Sequence, residues 1–151
     1  MKKVLCTILA SLIFFTFTAC GSEPEEKCVI LTSEEDGITM DYQLDALDDT
    51  VQKITQTTTI DCSSFTEEEI SIITSSVDEY RAAYEAIEGV TYSLETIDTD
   101  LVETITIDTT NSDSLQELND SGLLPIDGTA DSISLEKTVE NLKELGMTEK
   151  E

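Results

Sequence analysis

Two hydrophobic periods follow one another along the chain, and each predicts a different kind of element. Over residues 38–46, apolar side chains alternate with polar ones, which is the period of a half-buried β-strand. A short apolar run at 28–32 precedes this segment, and the Thr- and Ile-rich residues 51–62 follow it. Polar turns at 33–37 and 47–50 separate the three segments. Three strands joined by short loops predict an antiparallel meander.

The pattern then changes to helical spacing. Thr66 and Glu69 form a capping box, which marks the start of a helix. The predicted helix spans residues 67–88 and ends before Gly89. Its apolar stripe is more typical of a core face than of a partner-binding face. The stripe consists of Ile70, Ile73, Val77, Tyr80, Tyr84 and Ile87.

A second pair of strands follows this helix. Residues 90–97 and 101–109 have the composition of strands, and the polar residues 98–100 form the hairpin turn between them. Leu115 and Leu118 then indicate one short helical turn.

The last predicted element is a helix after a loop over residues 119–131. Ser134 is its N-cap and Gly146 follows its end. The element order is β-β-β-α-β-β-α, and each strand is apolar mainly on one face. This predicts an α+β fold, with an antiparallel sheet of about five strands, helices packed on one face and water on the other. The apolar face of the last helix consists of Leu135, Val139, Leu142 and Leu145.

The N-terminus has the pattern of a secretory signal peptide. Lys2 and Lys3 precede an uncharged apolar run over residues 4–17, and small residues follow. The run is shorter than the roughly 20 residues that a membrane-spanning helix needs. A plain signal peptide with a chance cysteine at position 20 is the alternative to a lipoprotein signal.

The sequence Phe17-Thr18-Ala19-Cys20 resembles the bacterial lipobox, although Phe17 stands where Leu is usual. The resemblance implies cleavage between Ala19 and Cys20 and a diacylglycerol on Cys20, which anchors the protein to the cell membrane on its extracytoplasmic side. Two acyl chains are what stable attachment takes. The expected segments are a signal peptide at 1–19, the lipidated cysteine and an acidic tether at 20–27, and one α+β domain at 28–151.

Charge and composition remove several classes of function. The chain has 33 Asp and Glu against 8 Lys and Arg, a net charge of −25, which repels nucleic acid. It has no His, so the commonest general base and metal ligand is missing. We therefore expect no catalytic residue, no cofactor and no metal site. Acidic pairs occur without the spacing of a calcium loop; they are Glu34-Glu35-Asp36, Asp48-Asp49, Asp98 with Asp100, and Asp127 with Asp131.

Cys6 belongs to the predicted signal peptide and Cys20 is the predicted lipidation site, so the domain itself contains two cysteines, Cys28 and Cys62. An oxidising exterior suggests a disulfide between them. The predicted meander places Cys28 opposite about Gln43, and Gln43 opposite about residue 54. Cys62 is eight residues beyond residue 54 on the same strand, which is roughly 25 Å at about 3.3 Å per residue. A disulfide needs α-carbons within about 7 Å. We expect no disulfide, and a packed core position for Cys62.

Several short blocks occur along the chain in an order typical of one known family. They are Val51-Gln52-Lys53 before a Thr-rich strand, Tyr84-Glu85-Ala86-Ile87-Glu88-Gly89-Val90, Glu103-Thr104-Ile105-Thr106-Ile107-Asp108 followed by Leu115-Gln116-Glu117-Leu118, and Leu145-Gly146-Met147. In this order, the chain resembles the YehR-like family of small bacterial lipoproteins. The resemblance implies a secreted, anchored α+β domain and no particular reaction.

These features predict a membrane-anchored extracytoplasmic lipoprotein that is not an enzyme and binds an envelope protein or a small ligand. If it binds through the water-facing side of the sheet, the candidate residues are Thr39, Thr55, Thr57 and Thr59. One alternative is a cell-wall or peptide hydrolase with two carboxylates as acid and base, one of them with a raised pKa. The other alternative is a surface cation-binding protein.

Overall fold

The computed structural model describes residues 23–124 and 132–150. The predicted signal peptide and lipobox, with Cys6 and Cys20, lie outside these ranges. No helix within them is long and apolar enough to cross a membrane. In chain order the elements are β1 Glu26–Glu35, β2 Ile38–Leu47, β3 Thr50–Asp61, α1 Glu67–Glu85, β4 Val90–Ile97, β5 Asp100–Asp108, α2 Ser112–Asp120, β6 Ile133–Ser134, α3 Leu135–Glu144 and β7 Thr148–Glu149.

The strands form one antiparallel sheet in the order β4-β5-β3-β2-β1-β7, and β6 pairs with β3. The predicted α+β class, the meander β1-β2-β3 and the hairpin β4-β5 are confirmed. The short strands β6 and β7 were not predicted, because two residues carry no readable alternation. β1 begins at Glu26, two residues inside the segment expected to be a tether.

The pairing of β1 with β2 differs from the predicted register. Cys28 pairs with Asp45 rather than Gln43, and Gln43 pairs with Thr55 rather than residue 54. A bulge between Asp45 and Ala46 shifts the β2–β3 pairing by one residue. The shift of the β1–β2 pairing comes from the turn between those two strands. Asp36-Gly37 has φ of 51° and 80°, the positive values that a two-residue hairpin loop demands, so the turn is tighter than the five residues predicted.

The core lies on one face of the sheet, where apolar residues form a row across five strands. Leu44 pairs with Val29 on one side and with Ile54 on the other, and Ile54 pairs with Ile107, which pairs with Val90. Residues paired across a ladder share a face. Leu115 and Leu118 of α2 are fully buried in the same cluster. This row of side chains therefore forms the sheet side of the core, and α2 packs against it.

Helix α1 begins as predicted but packs less deeply. Both halves of the capping box are present: Glu69 N–H donates to Thr66 Oγ1, and Thr66 N–H donates to the Glu69 carboxylate at 2.8 Å. The expectation that Tyr80 faces the core is wrong, because its residue surface is 61% exposed. The helix packs chiefly on β4, the edge strand, so part of its apolar stripe has no sheet beneath it.

Helix α2 is longer than the single turn predicted from Leu115 and Leu118. It has nine residues, and its N-cap Asn111 accepts hydrogen bonds from the N–H groups of Asp113 and Ser114. The predicted loop at 119–131 therefore starts too early, since the helix continues to Asp120.

Helix α3 has the predicted N-cap, Ser134, but its last predicted core residue is wrong. Leu145 is the C-cap and is 79% exposed. The backbone leaves the helical path there, and Gly146 takes the positive φ of 92° that follows a helix end. Met147, whose N–H donates to the Leu142 carbonyl, is buried in the core instead.

Candidate functional site

A cavity of about 460 Å³ lies between α3 and the core face of the sheet. Its sheet side consists of Tyr42, Leu44 and Ile54, which are apolar except for one phenol group. The α3 side and the segments around it add mixed residues. They are Leu124, Ser132, Ile133, Ser134, Lys137, Thr138, Glu140, Asn141, Leu142 and Leu145. The cavity is thus largely apolar inside, with its charged groups on the helix. Sequence analysis missed this site, because residues far apart in the chain build it.

The N-terminus of α3 is tied to the turn between β2 and β3. The Ser134 hydroxyl and the Glu136 N–H each donate to the Asp49 carboxylate at 2.8 Å, and Leu135 N–H donates to the Asp49 carbonyl at 2.8 Å. The Glu136 N–H first, and then the Ser134 hydroxyl, lower the pKa of Asp49 below its usual value. A carboxylate thus already occupies the positive end of this helix.

The far end of α3 is tied to β1 and β2 through β7. Lys150 N–H donates to the Ile30 carbonyl at 2.8 Å, and Lys150 Nζ contacts Asp41 at 2.7 Å. Lys143 of α3 contacts Glu149 at 2.7 Å. The helix is therefore fixed at both ends, and the cavity extends along its length from Ser134 to Leu145.

A group of tyrosines adjoins the cavity on the same side of the sheet. Tyr42 donates to Gln56 Oε1 at 2.7 Å, and Tyr92 donates to Glu103 Oε1 at 2.7 Å. The rings of Tyr84 and Tyr92 are stacked with centroids 6.2 Å apart. Burial raises the pKa of both Tyr42 and Tyr84. These phenols are protonated at neutral pH, so they act as hydrogen-bond donors and not as bases.

The predicted threonine candidates lie together on the opposite face of the sheet. Thr39 pairs with Thr59, and Thr55 and Thr57 occupy the same face of β3. The register extends this group onto β5, where Thr106 pairs with Thr55 and Thr104 pairs with Thr57. The alternation of residues 101–109 contained this signal, although the sequence analysis did not use it. The face is a ladder of half-buried hydroxyl groups.

The acidic groups in the described ranges do not converge. Residues 23–124 and 132–150 contain no group of three or more Cys, Asp or Glu able to hold a metal ion. Asp127 and Asp131 lie outside these ranges. Every described carboxyl group whose pKa departs from its usual value is shifted down. For Asp45, burial raises the pKa, but hydrogen bonds led by Lys53 outweigh burial. The hydrolase alternative requires a raised pKa, so these groups give it no support.

The two cysteines of the domain occupy different environments. Cys62 is buried, as expected, whereas Cys28 is exposed and its thiol interacts with the Asp45 carboxylate. Asp45 pairs with Lys53 on β3, and Cys62 lies nine residues further along the chain, roughly 30 Å at about 3.3 Å per residue. The absence of a disulfide in the cell stays a prediction, which the mass of the non-reduced protein tests.

Comparisons with known proteins complete the description. The family described as protein of unknown function, DUF1307, matches residues 27–148. The NMR structure of the E. coli YehR protein has a TM-score of 0.64 and 21% identity, covering 83% of this chain and 91% of that one. The NMR structure of a protein from Streptococcus pneumoniae TIGR4 has a TM-score of 0.54 and 15% identity, covering 99% and 98%. No curated protein matches the chain. These structural likenesses show a shared fold.

Proposed function

The chain belongs to the DUF1307 family of proteins of unknown function, as its resemblance to the YehR-like family predicted, and we propose that it is a membrane-anchored extracytoplasmic protein that binds an apolar small ligand. The binding site is the cavity between α3 and the sheet, which we call the α3 cavity. The observation that carries this proposal is the apolar space left beneath a helix whose two ends are fixed.

The size and lining of the α3 cavity support binding rather than a packing defect. Pockets for small molecules measure about 300–1,000 Å³ and combine apolar walls with a few polar groups. The cavity, at about 460 Å³, has Leu44 and Ile54 beneath it and the Thr138 and Asn141 side chains on its helix side. The pocket is partly open to solvent, and an apolar ligand in it covers the half-buried Tyr42 and Leu142 side chains and excludes water from them.

The evidence for a membrane anchor comes from the sequence that precedes β1. The charged, apolar and small-residue order of residues 1–19 and the lipobox-like Phe17-Thr18-Ala19-Cys20 support a diacylglycerol on Cys20. Residues 20–25 then link the lipid to β1. A protein held in this way presents the α3 cavity to the extracytoplasmic side, close to the source of membrane and envelope amphiphiles.

The proposal does not assign a reaction. The phenols beside the cavity have raised pKa values, and the carboxyl groups with altered pKa values have lowered ones. Neither change prepares a group for acid or base catalysis at neutral pH. Binding is therefore the function that the arrangement of these groups supports best.

A fluorescent apolar probe tests the binding site. The protein is residues 20–151 with Cys20→Ser, which contains every described strand and helix, and the probe is the neutral N-phenylnaphthylamine. We expect a saturable rise in emission, and we expect Thr138→Trp, which fills the cavity from α3, to weaken binding at least about tenfold, a change of about 1.4 kcal/mol.

The matched control is Thr96→Trp, which adds the same side chain at an exposed position of β4 outside the cavity. This variant should bind the probe like the parent protein, and far-UV circular dichroism checks that both variants keep the fold. Equal binding by the two tryptophan variants, or a response that never saturates, contradicts the proposal.

A further inference from the structure

One polar pair interrupts the apolar core face of the sheet beside the α3 cavity. Tyr42 of β2 pairs with Gln56 of β3, between Leu31 on one side and Ile105 on the other, and these two outer residues are buried. Residues paired across a ladder share a face, so Tyr42 and Gln56 lie on the core side, where both are half-buried. Polar groups in such a place cost free energy unless they are hydrogen-bonded.

The hydrogen bond within this pair decides what Tyr42 can offer a ligand. The Tyr42 hydroxyl donates to Gln56 Oε1 at 2.7 Å. A phenol has one proton to donate and an oxygen that also accepts. Because the proton is used by Gln56, the Tyr42 oxygen is left as an acceptor. Tyr42 lines the α3 cavity together with Leu44 and Ile54, so its oxygen is the polar side-chain atom on the sheet side.

A second phenol lies close to Tyr42. The Tyr84 hydroxyl donates to the Leu123 carbonyl at 3.4 Å, and the next residue, Leu124, lines the cavity. Burial first, and then the nearby Tyr84 phenol, raise the pKa of Tyr42. Tyr42 is therefore neutral at pH 7 and keeps the proton that it donates to Gln56.

The half-buried hydroxyl groups of the α3 side have donated their protons as well. The Thr138 hydroxyl donates to the Ser134 carbonyl at 2.7 Å, and the Ser134 hydroxyl donates to the Asp49 carboxylate at 2.8 Å. The remaining polar residues of the lining are exposed, so water competes for their hydrogen bonds; they are Ser132, Lys137, Glu140 and Asn141. The half-buried hydroxyl groups thus present oxygen acceptors to the cavity, and a ligand that satisfies them must bring a donor.

We propose that the ligand of the α3 cavity is an uncharged, largely apolar molecule with a hydroxyl group, such as a long-chain alcohol, and that this hydroxyl donates a hydrogen bond to the Tyr42 oxygen. This inference rests on the proposed function. A charged group at Tyr42 would lose hydration, and the sheet side of the cavity has no opposite charge to compensate. Tyr42 is the specificity-determining residue. Gln56 is a positioning residue, because it holds the Tyr42 proton away from the ligand.

The test compares 1-nonanol with its isomer methyl octyl ether, which contains the same atoms but has no hydroxyl proton. Each ligand displaces N-phenylnaphthylamine from residues 20–151 carrying Cys20→Ser. Tyr42→Phe keeps the ring and removes the oxygen. We expect it to weaken 1-nonanol binding about two- to tenfold, the range for one hydrogen bond, and to leave ether binding unchanged.

Gln56→Leu tests the positioning role. It frees the Tyr42 proton, which can then be donated to the ether oxygen. The ether should therefore bind more tightly than it binds the parent protein, and the preference for the alcohol should shrink. A loss of packing alone would weaken both ligands alike, and that result would overturn the role of Gln56.

The matched control is Tyr80→Phe, which removes the same oxygen from an exposed residue of α1 that does not line the cavity. It should leave the binding of both ligands unchanged. If Tyr42→Phe weakens the alcohol and the ether equally, or weakens neither, while N-phenylnaphthylamine still binds, the hydroxyl assignment is overturned and the apolar cavity site stands. Failure of both ligands and of the probe to bind overturns the proposed function itself.

Discussion

Replacing Leu118 by Ala tests the packing of α2 against the sheet. Leu118 has no exposed surface, and it belongs to the cluster that contains Leu44, Ile54 and Ile107. Truncating a fully buried Leu removes its transfer free energy and leaves a cavity, which together cost about 2–5 kcal/mol. Because a domain of this size has a free energy of unfolding of about 5–15 kcal/mol, the variant should stay folded but lose a large share of its stability.

Urea denaturation monitored by far-UV circular dichroism measures this loss. With a slope of about 1–3 kcal/mol per molar urea, a loss of about 3 kcal/mol lowers the midpoint by roughly 1–3 M at unchanged slope. The control is Leu145→Ala, the same substitution at a residue that is 79% exposed, which should change the free energy of unfolding by less than about 0.5 kcal/mol.

The comparison separates the observed packing from the packing that the sequence predicts. The sequence spacing predicts that Leu145 lies on the core face of α3 and that Leu118 belongs to a single helical turn. In the structure, Leu145 is exposed and Leu118 is fully buried. A loss for Leu145→Ala as large as that for Leu118→Ala would show that Leu145 is buried in solution, and a loss below about 1 kcal/mol for Leu118→Ala would contradict the central place of α2.

Three further predictions address the anchor, the cysteines and the support of α3. Cys20→Ser should move the full-length protein out of the lipid-labelled membrane fraction, and unchanged labelling would refute lipidation at this position. Mass spectrometry of the non-reduced protein should show no peptide linking Cys28 to Cys62, since the register separates them by far more than a disulfide spans. Asp49→Ala should lower the thermal unfolding temperature at pH 7, because hydrogen bonds from Glu136 and Ser134 lower the pKa of Asp49 in the folded state. That contribution exists above the ordinary pKa of about 3.9 and is lost as the pH falls through the lower folded value, so the difference between the parent and the variant should shrink over that range; a constant difference would contradict this role.

Signals between residues close together in the sequence were enough to predict much of the fold. The Thr66 and Glu69 capping box predicts the start of α1 because both hydrogen bonds join residues three apart. The alternation at 38–46 predicts β2 because the pleat repeats every two residues. Asn111 carried a similar local signal for α2, since Asn is a favoured N-cap, and using it would have predicted the full helix.

The features that sequence reasoning missed depend on distant parts of the chain. The exposure of Tyr80 follows from the position of α1 on an edge strand, which its own periodicity does not contain. The exposure of Leu145 follows from a helix end that sends Met147 into the core. The α3 cavity combines residues of β2 and β3 with Leu124 and with residues 132–145, and Asp49 anchors the N-terminus of α3 beside it. Helical spacing identifies an apolar face but not the space beneath it.

NMR mapping of amide chemical-shift changes tests the central claim most directly, because it locates the ligand on the fold. Residues 20–151 with Cys20→Ser are titrated with the neutral probe N-phenylnaphthylamine. Binding in the α3 cavity predicts saturable shifts centred on Leu44 and Ile54 of the sheet and on Thr138 and Glu140 of α3. Shifts confined to the opposite, threonine-bearing face around Thr57, or no saturable shifts at all, would contradict the claim.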